Sequence, residues 1–113
     1  MFKHAKLASA SQDLSATALT HDLVAGKYPL LIHSVEVKAS VNISETITVS
    51  DIDGDTAAAT NTLDSSTLSS AQNYVFRPTG MLVIMPGETL RVACTGANMT
   101  GTVYSRVKYA ELV

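Results

Sequence analysis

The chain has 113 residues, a net charge of −2, 16% charged and 5% aromatic residues, and a single cysteine. That length bounds it to one domain with one core, and the charge excludes a general electrostatic attraction to nucleic acid. One cysteine excludes an internal disulfide and a cysteine pair for zinc, and no stretch approaches the ~20 apolar residues of a membrane-spanning helix.

Residues 1–14 hold Lys3, His4 and Lys6, followed by small residues from Ala8 to Ser11. Their periodicity is weak, and alanine and serine bury too little to hold a helical turn in place. The expectation is an N-terminal arm over 1–14, either mobile or ordered against a neighbouring subunit, ahead of a domain spanning 15–113. No apolar run of signal-peptide length occurs there, which places synthesis in a cytoplasm.

Ser15 to Ala25 reads as a strand and Gly26-Lys27-Tyr28-Pro29 as a turn. Leu30 to Val41 is the clearest strand of the first half, with Val35, Val37, Ala39 and Val41 inward and Ser34, Glu36, Lys38 and Ser40 outward. His33 falls on the core side or at the start of this strand. Glu45 to Ser50 resumes the alternation, and the two runs are expected to pair as a hairpin across Asn42-Ile43-Ser44. Asp53-Gly54 is the best short turn signal in the chain.

From Thr56 to Asn73 the chain is small and polar, with only Leu63 and Leu68 as apolar anchors. Between Lys38 and Arg77 there is no basic residue, while Glu45, Asp51, Asp53, Asp55 and Asp64 contribute −5. This reads as an acidic, Ser/Thr-rich loop at an edge, and a loop of such length in a small domain is functional or disordered.

The last third reads as four short strands. Tyr74 to Arg77 is a short apolar run stopped by Pro78 and Gly80. Met81 to Met85 is continuously apolar, as in a strand covered on both faces, and Pro86-Gly87-Glu88 supplies a hairpin turn. Thr89 to Thr95 alternates with Leu90, Val92 and Cys94 on one face, so Cys94 is read as a core residue. A loop from Gly96 to Gly101 turns the chain back into a final strand. There Val103, Val107 and Tyr109 face one way and Tyr104, Arg106 and Lys108 the other, a period of two that no helix face has. About eight short strands without a convincing helix predict an all-β fold, an antiparallel, jelly-roll-like β-sandwich.

Three constellations could carry chemistry. Asp51-Ile52-Asp53-Gly54-Asp55 begins like a calcium loop, with carboxylates at alternate positions. An EF-hand needs glycine where Thr56 stands and glutamate where Thr62 stands, so a plain turn is the simpler reading and a surface cation site at Asp51, Asp53 and Asp55 the sharper one. His4, His21 and His33 have no serine in a nucleophile elbow, and a hydrogen-bonded structural histidine is the expectation rather than a catalytic one. Tyr104, Arg106 and Lys108, with Arg91 joining from a neighbouring strand, could stack and pair with single-stranded nucleic acid or sugar. A strand face that meets acidic loops of a partner subunit explains the same residues and is the reading taken. No phosphate loop or dinucleotide fingerprint occurs, so neither an enzyme nor a cofactor is expected.

The segment Ala25 to Val35, the run Ile47 to Gly54, and Leu82 to Leu90 (LVIMPGETL) followed by Thr100-Gly101-Thr102-Val103-Tyr104 and a terminal strand ending Tyr109-Ala110-Glu111-Leu112 resemble a pattern of small virion proteins. Together with the length and the strand order, they make the chain similar to the jelly-roll decoration (cement) proteins of tailed-bacteriophage capsids. The likeness covers most of residues 25–112. It implies a non-enzymatic protein on the capsid exterior, made in the host cytoplasm, that clamps adjacent major capsid subunits and self-associates as a dimer or trimer on a symmetric shell. Neither nucleic acid nor a membrane is then a partner. Contacts are expected from Lys3, His4 and Lys6 of the arm, Leu63 and Leu68 of the polar loop, and Tyr104, Arg106 and Lys108. The alternative is a tail- or fibre-associated module that recognises a surface glycan, with a cation at Asp51, Asp53 and Asp55.

Overall fold

A computed structural model describes residues 2–53, 60–96 and 100–113, with side chains from residue 5 onward. It holds nine strands: β1 (Phe2–Asp13), β2 (Leu19–Val24), β3 (Leu30–Ile43), β4 (Thr46–Ile52), β5 (Thr60–Thr67), β6 (Ala71–Phe76), β7 (Leu82–Ile84), β8 (Thr89–Cys94) and β9 (Thr102–Leu112). No helix occurs among the described residues. One sheet runs β1-β9-β3-β6, with β7 also on β3, and the other runs β2-β8-β4-β5. All pairings are antiparallel.

A strand has only two edges, and β9 occupies one edge of β3. The strands β6 and β7 therefore share the other edge, opposite Val35–Ile43 and Leu30–Ile32 respectively. They amount to one strand interrupted where Pro78 cannot donate to a ladder. Counted so, the two sheets of four have the connectivity of a jelly roll, and the ninth strand is the product of that break.

The core follows from the alternation. Leu90, Val92 and Cys94 of β8 and Val103, Ser105 and Val107 of β9 are buried, and the residues between them lie nearer solvent. Val35, Val37, Ile47, Val49, Ile84 and Leu14 complete the interior, each contributing about 1.5–3 kcal/mol by leaving water. His21 on β2 and Ser105 on β9 share a buried 2.8 Å hydrogen bond between their side chains, which ties one sheet to the other.

Several expectations are corrected. Residues 2–13 are not an arm: they form β1, matched to β9 at ten positions. Leu14, at its end, is fully buried and donates its N–H to the Gly101 carbonyl. Ala8 packs on the core, because an edge strand can turn alanine inward where a helix of such residues would bury too little. The boundary between 14 and 15 therefore disappears. The β3–β4 connection is not a hairpin, since β3 and β4 lie in different sheets, as do β7 and β8. Alternation reports which face is buried, not which strand lies alongside.

Most of the polar stretch from Thr56 to Asn73 is also strand. β5 is an edge strand on β4, and β6 lies on β3, so threonine and serine serve as solvent-facing β residues rather than loop. The Asp53-Gly54 turn lies at the limit of the described residues, with Ile52 opposite Thr60 across it. Val41 is exposed and Ile43 buried, because the pairing with β6 shifts between Lys38 and Ile43. His33 is exposed where the β3–β9 register shifts between Ile32 and Ser34. Met81 and Met85 are exposed, and of their run Ile84 alone is fully buried.

Candidate functional site

The outer face of the β1-β9-β3-β6 sheet collects the chemistry. On β9, Tyr104, Arg106 and Lys108 are exposed, and the intervening Ser105 and Val107 are buried. Register sets their neighbours. Tyr104 lies between Ser11 of β1 and Lys38 of β3, Arg106 between Ser9 and Glu36, and Lys108 between Leu7 and Ser34. Beyond β3, Glu36 faces Val75 and Lys38 faces Asn73 on β6. Side chains directly across an antiparallel pair are ~5 Å apart at Cβ, so these residues form one continuous surface.

Three cations, Lys38, Arg106 and Lys108, thus share the face with two carboxylates, Glu36 beside Arg106 and Asp13 at the end of β1, where it accepts hydrogen bonds from Ser15. None of the three makes an ion pair or a side-chain hydrogen bond among the described residues. The serines of β1 are short and Tyr104 and Arg106 are long, so a groove of about 450 Å³ opens along β1, lined by Leu7, Ser9, Ser11, Tyr104 and Arg106. Tyr104 keeps 47% of its surface. Such an arrangement can stack an apolar or planar group on the phenol ring and neutralise anionic groups with the guanidinium and ammonium.

Of the other expected contacts, Arg91, Leu63, Leu68 and Lys6 do not join this face. Arg91 lies on β8 in the opposite sheet and is held by Asp22 through two bonds of 2.7 and 2.9 Å. Leu63 and Leu68 are half-buried and pack against the core. Lys6 pairs with Glu111 at the far end of β9. Lys3 and His4 occupy the start of β1, ahead of the Ala5–Ala110 pairing; their side chains lie outside the described residues.

Asp51 and Asp53 line a depression of about 310 Å³ with Thr60, Asn61 and Glu88, and Asp55 lies outside the described residues. Burial raises the Asp51 pKa, helped by the charges of Glu88 and Asp53, and Asp51 Oδ1 is buried without a hydrogen-bond partner. Among the described residues no three His, Cys, Asp or Glu side chains converge as a metal ion requires. His21 is the buried structural histidine, its pKa lowered by desolvation despite nearby Asp22. Cys94 is buried, and burial, with a smaller push from the Glu45 charge, raises its thiol to about 11.

Leu7, Ser9 and Ser11 were not singled out from sequence. The signal available was the alternation of Leu7, Ser9 and Ser11 with Ala8 and Ala10, which is legible only once the segment is read as a strand.

No protein-family model matches this chain, and no curated protein does. Among solved structures, the crystal structure of PirA is similar, with a TM-score of 0.54 over 89% of this chain and 92% of that one at 13% identity. At that identity the likeness concerns the fold, an all-β sandwich, and nothing of the site.

Proposed function

We propose that this chain is a non-enzymatic structural protein of a virion, a decoration (cement) protein on the capsid exterior that clamps adjacent major capsid subunits. The observation that carries this reading is the outer face of the β1-β9-β3-β6 sheet, which bears exposed Tyr104 with the cations Lys38, Arg106 and Lys108, unpaired among the described residues. A face of this kind, spread over four strands with only an open groove along β1, suits a broad contact with another protein better than enclosure of a small substrate. Tyrosine and arginine are the side chains enriched at such contacts. Self-association as a dimer or trimer belongs to the same reading, because a closed shell offers two-fold and three-fold positions.

The test is rebinding. Purified chain is mixed with source particles stripped of it, and co-sedimentation is measured for wild type and for Arg106→Glu/Lys108→Glu. Wild type is expected to sediment with the shells and the double variant to stay in solution. Wild type that stays behind sinks the proposal.

A second reading, a tail- or fibre-associated glycan module with a cation at Asp51, Asp53 and Asp55, draws on the unpartnered Asp51 Oδ1. It requires calcium to raise the melting temperature, and indifference to calcium and to chelator dismisses it.

A further inference from the structure

The groove beside β1 has one wall missing. Tyr104 and Arg106 stand on its β9 side, and Ser9 and Ser11 form its floor. On the remaining side β1 ends the strand order of its sheet, so its backbone is laddered to β9 alone. An edge of this kind presents a row of unpaired N–H and C=O groups to any extended chain. β1 runs for 12 residues, long for an edge strand, where natural edges are more often kept short or broken.

From this geometry we infer that the free edge of β1 takes an extended acidic segment of the partner protein, which adds a strand to the sheet and sets a carboxylate beside Arg106, in the positive field to which Lys108 adds. The inference rests on the reading of this face as the partner contact and names what the partner brings to it.

Three features converge on that occupant. The first is spacing along the strand. Side chains on one face of a strand recur every second residue, ~6.8 Å apart. Arg106 and Lys108 have that repeat, so an added strand with acidic residues at alternate positions keeps register with both, one carboxylate meeting Arg106 over Ser9 and the next lying beside Leu7, which stands opposite Lys108.

The second is reach across the sheet. An added strand would lie two strand spacings from β9, ~10 Å. Glutamate and arginine can span that distance only over a short intervening side chain, and Ser9 is what lies opposite Arg106. Opposite Tyr104 it is Ser11, which leaves the phenol ring open to the incoming strand.

The third is charge. Lys38, Arg106 and Lys108 are without ion-pair partners among the described residues, on a chain whose net charge is −2. The positive charge on this face is therefore local, and its complement is a negative segment. Main-chain pairing along β1 would supply affinity, and the alternate carboxylates would supply specificity.

The test is an NMR titration of the full chain with a short peptide of alternating glutamate and threonine, with the matching lysine–threonine peptide and polygalacturonate as comparisons. The glutamate peptide is expected to shift amide signals of β1 and of Tyr104–Lys108 and to slow exchange at alternate β1 amides. Binding should weaken at least about fivefold between low salt and ~0.5 M salt. It should weaken more than about tenfold in Arg106→Glu/Lys108→Glu, whose spectrum must stay as dispersed as wild type. Ser9→Trp, which fills the groove without changing charge, should weaken it as well.

Equal shifts with the lysine peptide, or no shifts up to the solubility limit, overturn the inference. Shifts by polygalacturonate alone overturn it too, in favour of an acidic sugar. The outcome is separable from the decoration reading. A chain that rebinds particles yet ignores the peptide loses only this inference. A chain that takes the peptide and never sediments with particles loses only that function.

Discussion

The buried pair His21–Ser105 offers the sharpest test of the fold's energetics. Their side chains join the two sheets through a 2.8 Å hydrogen bond, and Ser105 has no exposed surface. Ser105→Ala removes the hydroxyl and leaves the His21 Nδ1 buried without a partner, which costs about 1–3 kcal/mol. The entropy of unfolding near the midpoint is ~2.1 cal/mol/K per residue. For 113 residues that is about 0.24 kcal/mol/K, so the melting temperature should fall by about 4–13 °C. Replacing both partners, as in His21→Leu/Ser105→Ala, leaves no orphaned polar group and should cost less than Ser105→Ala alone.

The pair also sets a pH dependence with a definite sign. Desolvation lowers the His21 pKa from its ordinary 6.5, so the fold holds the ring neutral. Above pH 6.5 folded and unfolded chains are alike at this site. As pH falls below that value the unfolded chain takes a proton that the folded chain refuses, and stability is lost until the folded pKa is reached. Thermal unfolding followed by circular dichroism between pH 7.5 and pH 5 should show the wild-type midpoint falling more steeply than that of the double variant. Equal slopes, or a Ser105→Ala midpoint unchanged from wild type, would refute the reasoning.

Three further changes to the chain probe the same fold. Deleting residues 2–13 should abolish the cooperative thermal transition, because it removes the strand matched to β9 at ten positions; a deleted chain that still melts cooperatively near the wild-type midpoint contradicts the placement of β1. Gly101→Ala should be clearly more destabilising than Gly87→Ala in denaturant titrations. Both have positive φ, but a Cβ on Gly101 would lie 2.7 Å from Val41 Cγ2 while that on Gly87 meets open space. Cys94, with its thiol pushed up to about 11 by burial, should react with a disulfide reagent at pH 8 only after denaturation, and prompt labelling of the native chain would show that the core is open.

How much of this was legible in the sequence depended on the kind of pattern. Leu90, Val92 and Cys94, Val35 and Val37, and Val103 and Val107 fall at alternate positions of their strands, and all are buried. Period two is a direct consequence of the pleat, and from it the all-β sandwich could be read. Strand partners could not, because alternation says nothing about neighbours: β3 and β4 looked like a hairpin and lie in opposite sheets. Residues 2–13 were misread because alanine and serine mark neither a strand nor a helix, and an edge strand gains its stability from β9 rather than from its own side chains.

The candidate site was half legible. Tyr104, Arg106 and Lys108 were read on one face of the last strand, and they lie there, exposed. Arg91 was added wrongly, since β8 is no neighbour of β9. Ser9 and Ser11 were invisible as site residues because their part is to be small beside Arg106 and Tyr104, which only the register reveals.

The central claim, a decoration protein on a capsid, is tested most directly by its copy number on purified source particles. Virions banded on a density gradient are analysed by quantitative mass spectrometry, with this chain measured against the major coat protein. The account predicts a ratio close to a simple fraction of the coat subunits, as occupation of repeated symmetry positions requires. A few copies per particle would move the chain to the tail or fibre, and its absence from the particle would contradict the account outright.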